Sequence, residues 1–285
     1  MDGILIVNKP KKYTSHDIVY KVKKISNEKV GHTGTLDPNA TGVLPLLIGK
    51  GTLISKYLIN HDKIYEAVLK LGIKTDTADV EGNIVEQKEV KEKCLNEENI
   101  KNVFKQMIGK QEQIPPMYSA IKVKGKKLYE YAREGETVQL TPRIIEIYDI
   151  NLKKIEENEI TFSVFCSKGT YIRTLCETIA NKLETVGYMK ELKRVQVGEF
   201  NIEEAINVDE SITIKDIQNH IISIEKFFEN KEKIILNEKE LNYFLNGVKL
   251  TKKEVDGIYR IYNSQNLFIG LATIENNKLK RDVIL

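Results

Sequence analysis

The chain of 285 residues has no tryptophan, three cysteines and four histidines. Cys94, Cys166 and Cys176 are too widely spaced for a CxxC zinc pair. Three thiols make no disulfide framework, so a reducing compartment, the cytoplasm, is the simplest expectation. His16, His32, His61 and His220 fall into no HExxH or other metal-ligand spacing. A P-loop, a GxGxxG opening a helix and a GxSxG elbow are also missing. The residues therefore give little reason to invoke a metal, a nucleotide or any other cofactor. No apolar run reaches the roughly 18 residues of a membrane helix. The start, with Asp2 and no long apolar stretch, is unlike a secretory signal.

Charge of one sign is scarce only in the total. Forty-four Lys and Arg face 41 Asp and Glu, a net +3, but the distribution is uneven. Residues 1–65 carry ten lysines and five acids, and residues 119–135 five bases and two acids. Residues 201–230 carry seven acids and two lysines. The basic segments are interleaved with Tyr13, Tyr20, Tyr118, Tyr129 and Tyr131. A polyanion-binding surface with stacking platforms has this composition, and so does an ordinary solvated face.

The length suits one large domain, or a large and a small one. Residues 3–8 read as a buried strand. Thr14 or Ser15 can cap a helix striped by Ile18, Val19, Val22 and Ile25. The pattern then stops. Residues 30–51 are punctuated by glycine and proline, costly to order unless their shape matters. A helix is expected over 52–60, then a strand with Tyr65, Ala67, Leu69 and Leu71 on one face. Asn96 caps a helix through Met107, closed by Gly109. Strands over 143–152 and 159–167, a helix over 170–184 and a strand over 189–198 follow. The acidic stretch reads as a surface helical connector. Asn237 caps a short helix ending at Gly247, and strands near 258–263, 267–274 and 279–284 form a β-rich appendage packed on the main domain. Without regular βαβ alternation, the class is α+β with a largely antiparallel sheet.

Asp37 lies in GTLDPNATG, before Pro38, which pushes its backbone toward extended geometry. Taken alone, Asp-Pro is ordinarily a turn. Arg173, beside the core stripe of its helix, calls for a carboxylate partner more than a surface arginine would. Tyr65 by itself reads as core packing. Asp76 and Asp79 form a conceivable metal pair, although such loop acids are usually just solvated.

Taken together, GILIVNKPKKYTSHDIV (3–19), VGHTGTLDPNATGVLPLLIGKGT (30–52), DKIYEAVLKLGIKTDTADVEG (62–82), IPPMYSAIKVKGKKLYEYAREG (114–135), CSKGTYIRTL (166–175) and GYMKELKRVQVG (187–198) resemble the tRNA pseudouridine synthase B (TruB) family. The blocks run in the family's order. The resemblance implies a pseudouridine synthase fold: a central, mainly antiparallel mixed sheet flanked by helices, plus a small PUA-like C-terminal domain. It divides the chain into a catalytic domain, 1–230, with a thumb-like insertion at about 114–140, and an RNA-binding domain, 231–285. It implies cofactor-free isomerisation of the uridine at position 55 in the tRNA T-loop.

By the same resemblance Asp37 is the catalytic aspartate, Tyr65 the tyrosine stacking on the target base, and Arg173 the partner of the aspartate. His32 occupies the space of the flipped nucleotide, and Leu192 is an apolar contact beside the site. Lys122, Lys124, Lys126 and Lys127 of the insertion, and Lys9 and Lys12 beside the first strand, are expected near RNA phosphates. The expected partner is tRNA, through the T-arm and the acceptor stem, bound by a cytoplasmic monomer away from membranes. Other readings are a non-catalytic RNA-folding protein, the guide-RNA-dependent relative that works inside a particle, and a metal-dependent hydrolase using Asp76 and Asp79.

Overall fold

The computed structural model describes residues 1–119 and 121–285. Strand β1 (Gly3–Lys9) is buried at every position but Asn8. Thr14 caps helix α1 (Ser15–Ser26): its side chain accepts from the Asp17 N–H, and the Asp17 carboxylate accepts from the Thr14 N–H. This capping box fixes the start of α1 and leaves the Ser15 hydroxyl available elsewhere. The glycine-rich stretch becomes β2 (Val30–His32), a loop over 33–40 and β3 (Thr41–Ile48). The sequence offered no strand here, yet seven of the eight β3 residues are buried. A strand covered on both faces does not alternate, and Pro45 disguises it. The Pro45 carbonyl accepts from the Thr33 N–H on the side where β2 ends, where a missing ladder donor does little harm.

A 3-10 segment, Gly49–Ile54, leads into α2 (Ser55–Leu58). Strand β4 (Lys63–Leu71) alternates as expected, burying Lys63, Tyr65, Ala67, Leu69 and Leu71. A hairpin of β5 (Ile73–Thr75) and β6 (Ile84–Gln87) follows. Asn96 accepts from the Asn99 N–H and caps α3 (Glu97–Met107), which leads to β7 (Gly109–Gln113). The small basic unit is β8 (Lys122–Val123), β9 (Lys126–Lys127) and α4 (Leu128–Arg133). Long strands β10 (Arg143–Glu156) and β11 (Glu159–Cys166) precede α5 (Ile172–Lys182) and β12 (Gly187–Val197).

Short strands β13 (Phe200–Asn201) and β14 (Ile206–Asn207) complete the main sheet. Its order is β14-β1-β3-β12-β4-β11-β10-β7, with β2 and β13 attached to β3 and β12. Only the β1–β14 and β3–β12 pairs are parallel. Helices α3 and α5 bury one core against β4, β10 and β11, around Phe104 and Phe162. Helix α1 covers Leu5, Val7, Leu44, Leu46 and Ile48.

The acidic stretch is more than a connector. It supplies β14 to the sheet edge, Ile217 from α6 (Ile214–His220), and Ile224 and Phe228 from α7 (Ile224–Phe227) and the residue after it. Glu203, Glu204, Asp209 and Glu210 stay exposed. The last segment forms β15 (Lys233–Ile235), α8 (Glu238–Leu245), β16 (Leu250–Thr251), β17 (Gly257–Tyr262), β18 (Phe268–Glu275) and β19 (Lys278–Ile284). The five strands form a second sheet, β15-β17-β18-β19-β16. Its own core centres on Phe244, Ile261 and Leu279. Leu271 and Val283 instead join Ile4, Ile6, Leu58 and Phe228, so the appendage packs on the main sheet as its size requires. The Asp282 carboxylate accepts from Lys56 and from the Tyr57 hydroxyl, and Glu225 accepts from the Tyr262 hydroxyl at 2.6 Å. Among the described residues no helix is long and apolar enough to cross a membrane.

The two halves of the main sheet meet where β3 pairs with β12. Gly42 has φ +105°, and a Cβ there would lie 2.1 Å from the Arg194 carbonyl oxygen. Gly42→Ala must therefore push β3 away from β12. We expect a loss of about 2–4 kcal/mol in stability, read as a lower urea midpoint at unchanged slope. A midpoint equal to wild type would show that this close approach is dispensable.

Candidate active site

The loop between β2 and β3 is held from several sides. The Ser15 hydroxyl accepts from the Leu36 N–H at 2.8 Å and donates to the Leu36 carbonyl at 3.2 Å. The Pro38 carbonyl accepts from Lys9 Nζ at 3.1 Å and from the Lys12 N–H at 2.9 Å. A turn closes with the Ala40 N–H donating to the Asp37 carbonyl at 3.1 Å. Asp37, between Leu36 and Pro38, therefore has its backbone fixed on both sides.

Lys9 requires a correction. Expected at a phosphate, it is completely buried, and its ammonium also donates to the carbonyls of Pro10 and Tyr13, at 2.9 and 2.5 Å. Its three donors are used internally. Burial pushes it down to about 8, Arg194 adds to that, and Asp37 opposes it. The N-terminal lysine excess is thus partly a clamp on the loop.

Asp37, Tyr65, Arg173 and Leu192 line one cleft of about 540 Å³. Arg173, the second residue of α5, is 5% exposed. Its Nε lies 3.1 Å from Asp37 Oδ2 and its Nη2 3.3 Å from Oδ1, a two-point grip. Nη1 lies 3.5 Å from Asp79 Oδ2, and Nη2 donates to the Tyr118 carbonyl at 2.8 Å. Burial lifts the Asp37 carboxyl above the ordinary carboxylate range; Arg173 opposes this and Asp79 adds to it. Burial likewise raises the Tyr65 phenol, with the Arg194 guanidinium opposing, so the hydroxyl stays protonated at neutral pH. The site presents a fixed carboxylate beside an aromatic ring, with an apolar wall at Leu192. Such a carboxylate can act as a nucleophile, as a base, or as a stabiliser of positive charge.

Sequence reasoning treated Asp79 as a solvated loop acid, but it is buried. Its Oδ1 accepts from the Thr77 hydroxyl at 2.7 Å and from the Glu81 N–H at 3.0 Å, while Oδ2 faces Arg173. Asp76 instead accepts from the Asn83 N–H at 2.9 Å. The two acids serve different partners, which removes the metal-pair reading. Arg194 and Lys63 also line the cleft and were missed. Arg194 donates to the carbonyls of Val43, at 2.7 Å, and Gly34, at 3.0 Å. The only sequence signal for Lys63 was a cation in phase with the buried face of β4.

His32 ends β2, half-buried, and is not among the residues lining the cleft. Burial, then Arg194 and His16, lower its basicity, so its ring is neutral at neutral pH. The insertion lysines also lie outside the cleft lining. Lys122, in β8, and Lys124, in the turn that follows it, are exposed. Lys126 pairs with Glu134 over the Tyr131 ring, and Lys127 donates to the Tyr129 hydroxyl at 3.2 Å. Lys12 is exposed, and its backbone bonds to the loop.

Family models together match residues 22–281 of this architecture. The TruB family pseudouridylate synthase N-terminal domain matches residues 22–172, and the tRNA pseudouridylate synthase B C-terminal domain residues 173–245. The pseudouridine synthase II TruB C-terminal model matches residues 233–281. The tRNA pseudouridine synthase B of Clostridium novyi (strain NT) is 42% identical over 292 residues, covering 100% of both chains. That of Clostridium tetani (strain Massachusetts / E88) is 45% identical over 279 residues, 95% of each. A chain from a Cbf5-Nop10-Gar1 complex superposes with a TM-score of 0.68 at 25% identity, covering 99% of this chain and 83% of that one. The sheet, its carboxylate loop and these likenesses define a pseudouridine synthase, an isomerase. Within that class, the chain belongs to the TruB family.

Arg173→Met would leave Asp37 and Asp79 without their shared cation. Loss of a positive neighbour raises a carboxyl further, so the acid limb of a single-turnover pH–rate profile should move to higher pH. An unmoved limb would show that Arg173 does not control Asp37. Stability should fall by about 3 kcal/mol.

Proposed function

We propose that the chain converts the T-loop uridine at tRNA position 55 to pseudouridine without a cofactor, by base flipping, cleavage of the C1′–N1 bond, uracil rotation and C1′–C5 rejoining. The observation that carries this reading is the Asp37 carboxylate held by Arg173 in the same cleft as Tyr65 and Leu192. The reaction consumes nothing, and one ionised carboxylate suffices to assist breakage at C1′, as nucleophile, as C2′ base or as charge stabiliser. Tyr65 supplies a flat surface on which the detached uracil turns, worth roughly 1–3 kcal/mol per stacked base. Leu192 closes the cleft on its apolar side.

The target must leave a folded loop, at a cost of a few kcal/mol. His32, at the start of the loop that carries Asp37, fills the vacated space. The unit at about 114–140 grips RNA through Lys122 and Lys124, with Lys12 on the N-terminal side. Lys126 and Lys127 join when RNA competes for their present partners. Residues 1–230 act as the catalytic domain and residues 231–285 as a PUA-like RNA-binding domain reaching the acceptor stem. The protein works as a cytoplasmic monomer. Full-length likeness to curated tRNA pseudouridine synthase B relatives supports the stand-alone mode over a guide-RNA particle.

Purified protein with chelator, and without guide RNA or added protein, should convert one uridine in an unmodified T-arm hairpin, mapped by carbodiimide adduct formation. Intact binding with no conversion would sink the reading. Asp37→Asn should lower turnover by at least about a thousandfold and retain RNA binding. Tyr65→Phe keeps the stacking surface, and normal turnover in that variant would dismiss proton transfer by the hydroxyl. RNA refolding that survives in Asp37→Asn would reveal a second, non-catalytic activity.

A further inference from the structure

The charges lining the cleft are strongly unbalanced. They comprise one carboxylate, Asp37, and five cations: Lys63, Arg143, Lys168, Arg173 and Arg194. Asp37 and Asp79 are both used by Arg173. Among the described residues, none of the other four cations has a carboxylate within 4.0 Å. Three have neutral acceptors instead: Lys63 donates to the His61 carbonyl, Lys168 to the Asn60 side chain at 2.6 Å, and Arg194 to two carbonyls. Lys63 is the unusual one, only 7% exposed and on the same face of β4 as Tyr65. Arg143 and Lys168 are exposed, at the start of β10 and just after β11. A mostly buried ammonium holding a single carbonyl is costly unless an anion arrives. Burial, reinforced by Arg194, pushes Lys63 down to about 8, the direction expected of a cation short of a counter-charge.

We propose that Lys63, with Lys168 and Arg143 at the rim, forms an anion subsite that takes one of the two phosphodiesters bounding the flipped uridine. This rests on the pseudouridylation reading above and assigns that site a phosphate clamp. A phosphodiester answers the lack of counter-charge, whereas a uracil carbonyl or a ribose hydroxyl would only add another neutral acceptor. Held there, the backbone on one side of the target would fix how far the nucleotide enters the cleft toward Asp37.

The experiment compares T-arm hairpins in which the phosphate 5′ or 3′ of the target uridine is replaced by a neutral methylphosphonate. Wild-type conversion of the unmodified hairpin is the control for the underlying activity, so failure of that reading is seen separately. Wild type should bind one of the two substituted hairpins roughly tenfold or more weakly. Lys63→Met should bind the unmodified hairpin correspondingly less well and no longer distinguish it from that substituted one. Its salt dependence should fall by about one unit of slope. The double variant Lys168→Ala/Arg143→Ala, whose altered side chains are exposed, should lose part of the same discrimination. It carries the test if Lys63→Met does not fold. Wild type indifferent to both substitutions would overturn the proposal. So would a full penalty retained in the variants, or a Lys63→Met defect confined to the chemical step.

Discussion

A buried guanidinium organises this molecule. Arg173 cannot be stripped of water without several acceptors, and no single segment supplies them. They come from the loop after β2, the turn between β5 and β6, and the chain entering the basic insertion: Asp37, Asp79, and the carbonyls of Thr77 and Tyr118. Satisfying one cation thus draws three segments onto the start of α5. The same contacts aim the Asp37 carboxylate into the cleft, so structural and chemical demands coincide.

Rigidity is distributed unevenly around that point. The Asp37 loop is tied by a buried lysine, a helix-terminal hydroxyl and its own turn. Among its described residues the insertion buries Pro115, Ser119 and Leu128, and otherwise relies on one ion pair, Lys126 with Glu134, and on cation–π contacts among its own residues. Exposed pairs of that kind contribute little. Low local stability is typical of elements that close on a ligand, whereas a reacting carboxylate gains from being held still. The division suits a site that must admit a folded RNA and then present one carboxylate in a fixed position.

The near balance of charge conceals a strong local field. Acids accumulate on the exposed side of residues 201–230, while the cleft gathers cations and one carboxylate. In a concave, poorly solvated site such an excess attracts a polyanion more than the same charges spread over a surface would. Lys9 marks the limit of counting lysines, because a cation seen in sequence can be spent inside the fold.

Much of the frame was legible in the residues themselves. Alternation marked β4, caps at Thr14, Asn96 and Asn237 marked helix starts, and the final strands stood apart. These signals are local, since each depends on neighbours within a few residues. The site residues were legible only together, through the resemblance that joined Asp37, Tyr65, Arg173 and Leu192. Strand β3 escaped because burial on both faces erases periodicity. Residues 201–230 misled because short exposed acids outnumber the few apolar anchors, Ile217, Ile224 and Phe228, that reach the core. By itself the sequence determined strand β4, the capped helix starts, the C-terminal strands and the α+β class. Tertiary structure alone decided that Asp79 is a partner rather than a solvated acid, that Lys9 clamps a loop, and that Lys63 and Arg194 face the cleft. The reason is physical: what a buried charge does is set by which acceptors the fold brings within about 3 Å, and those come from remote parts of the chain.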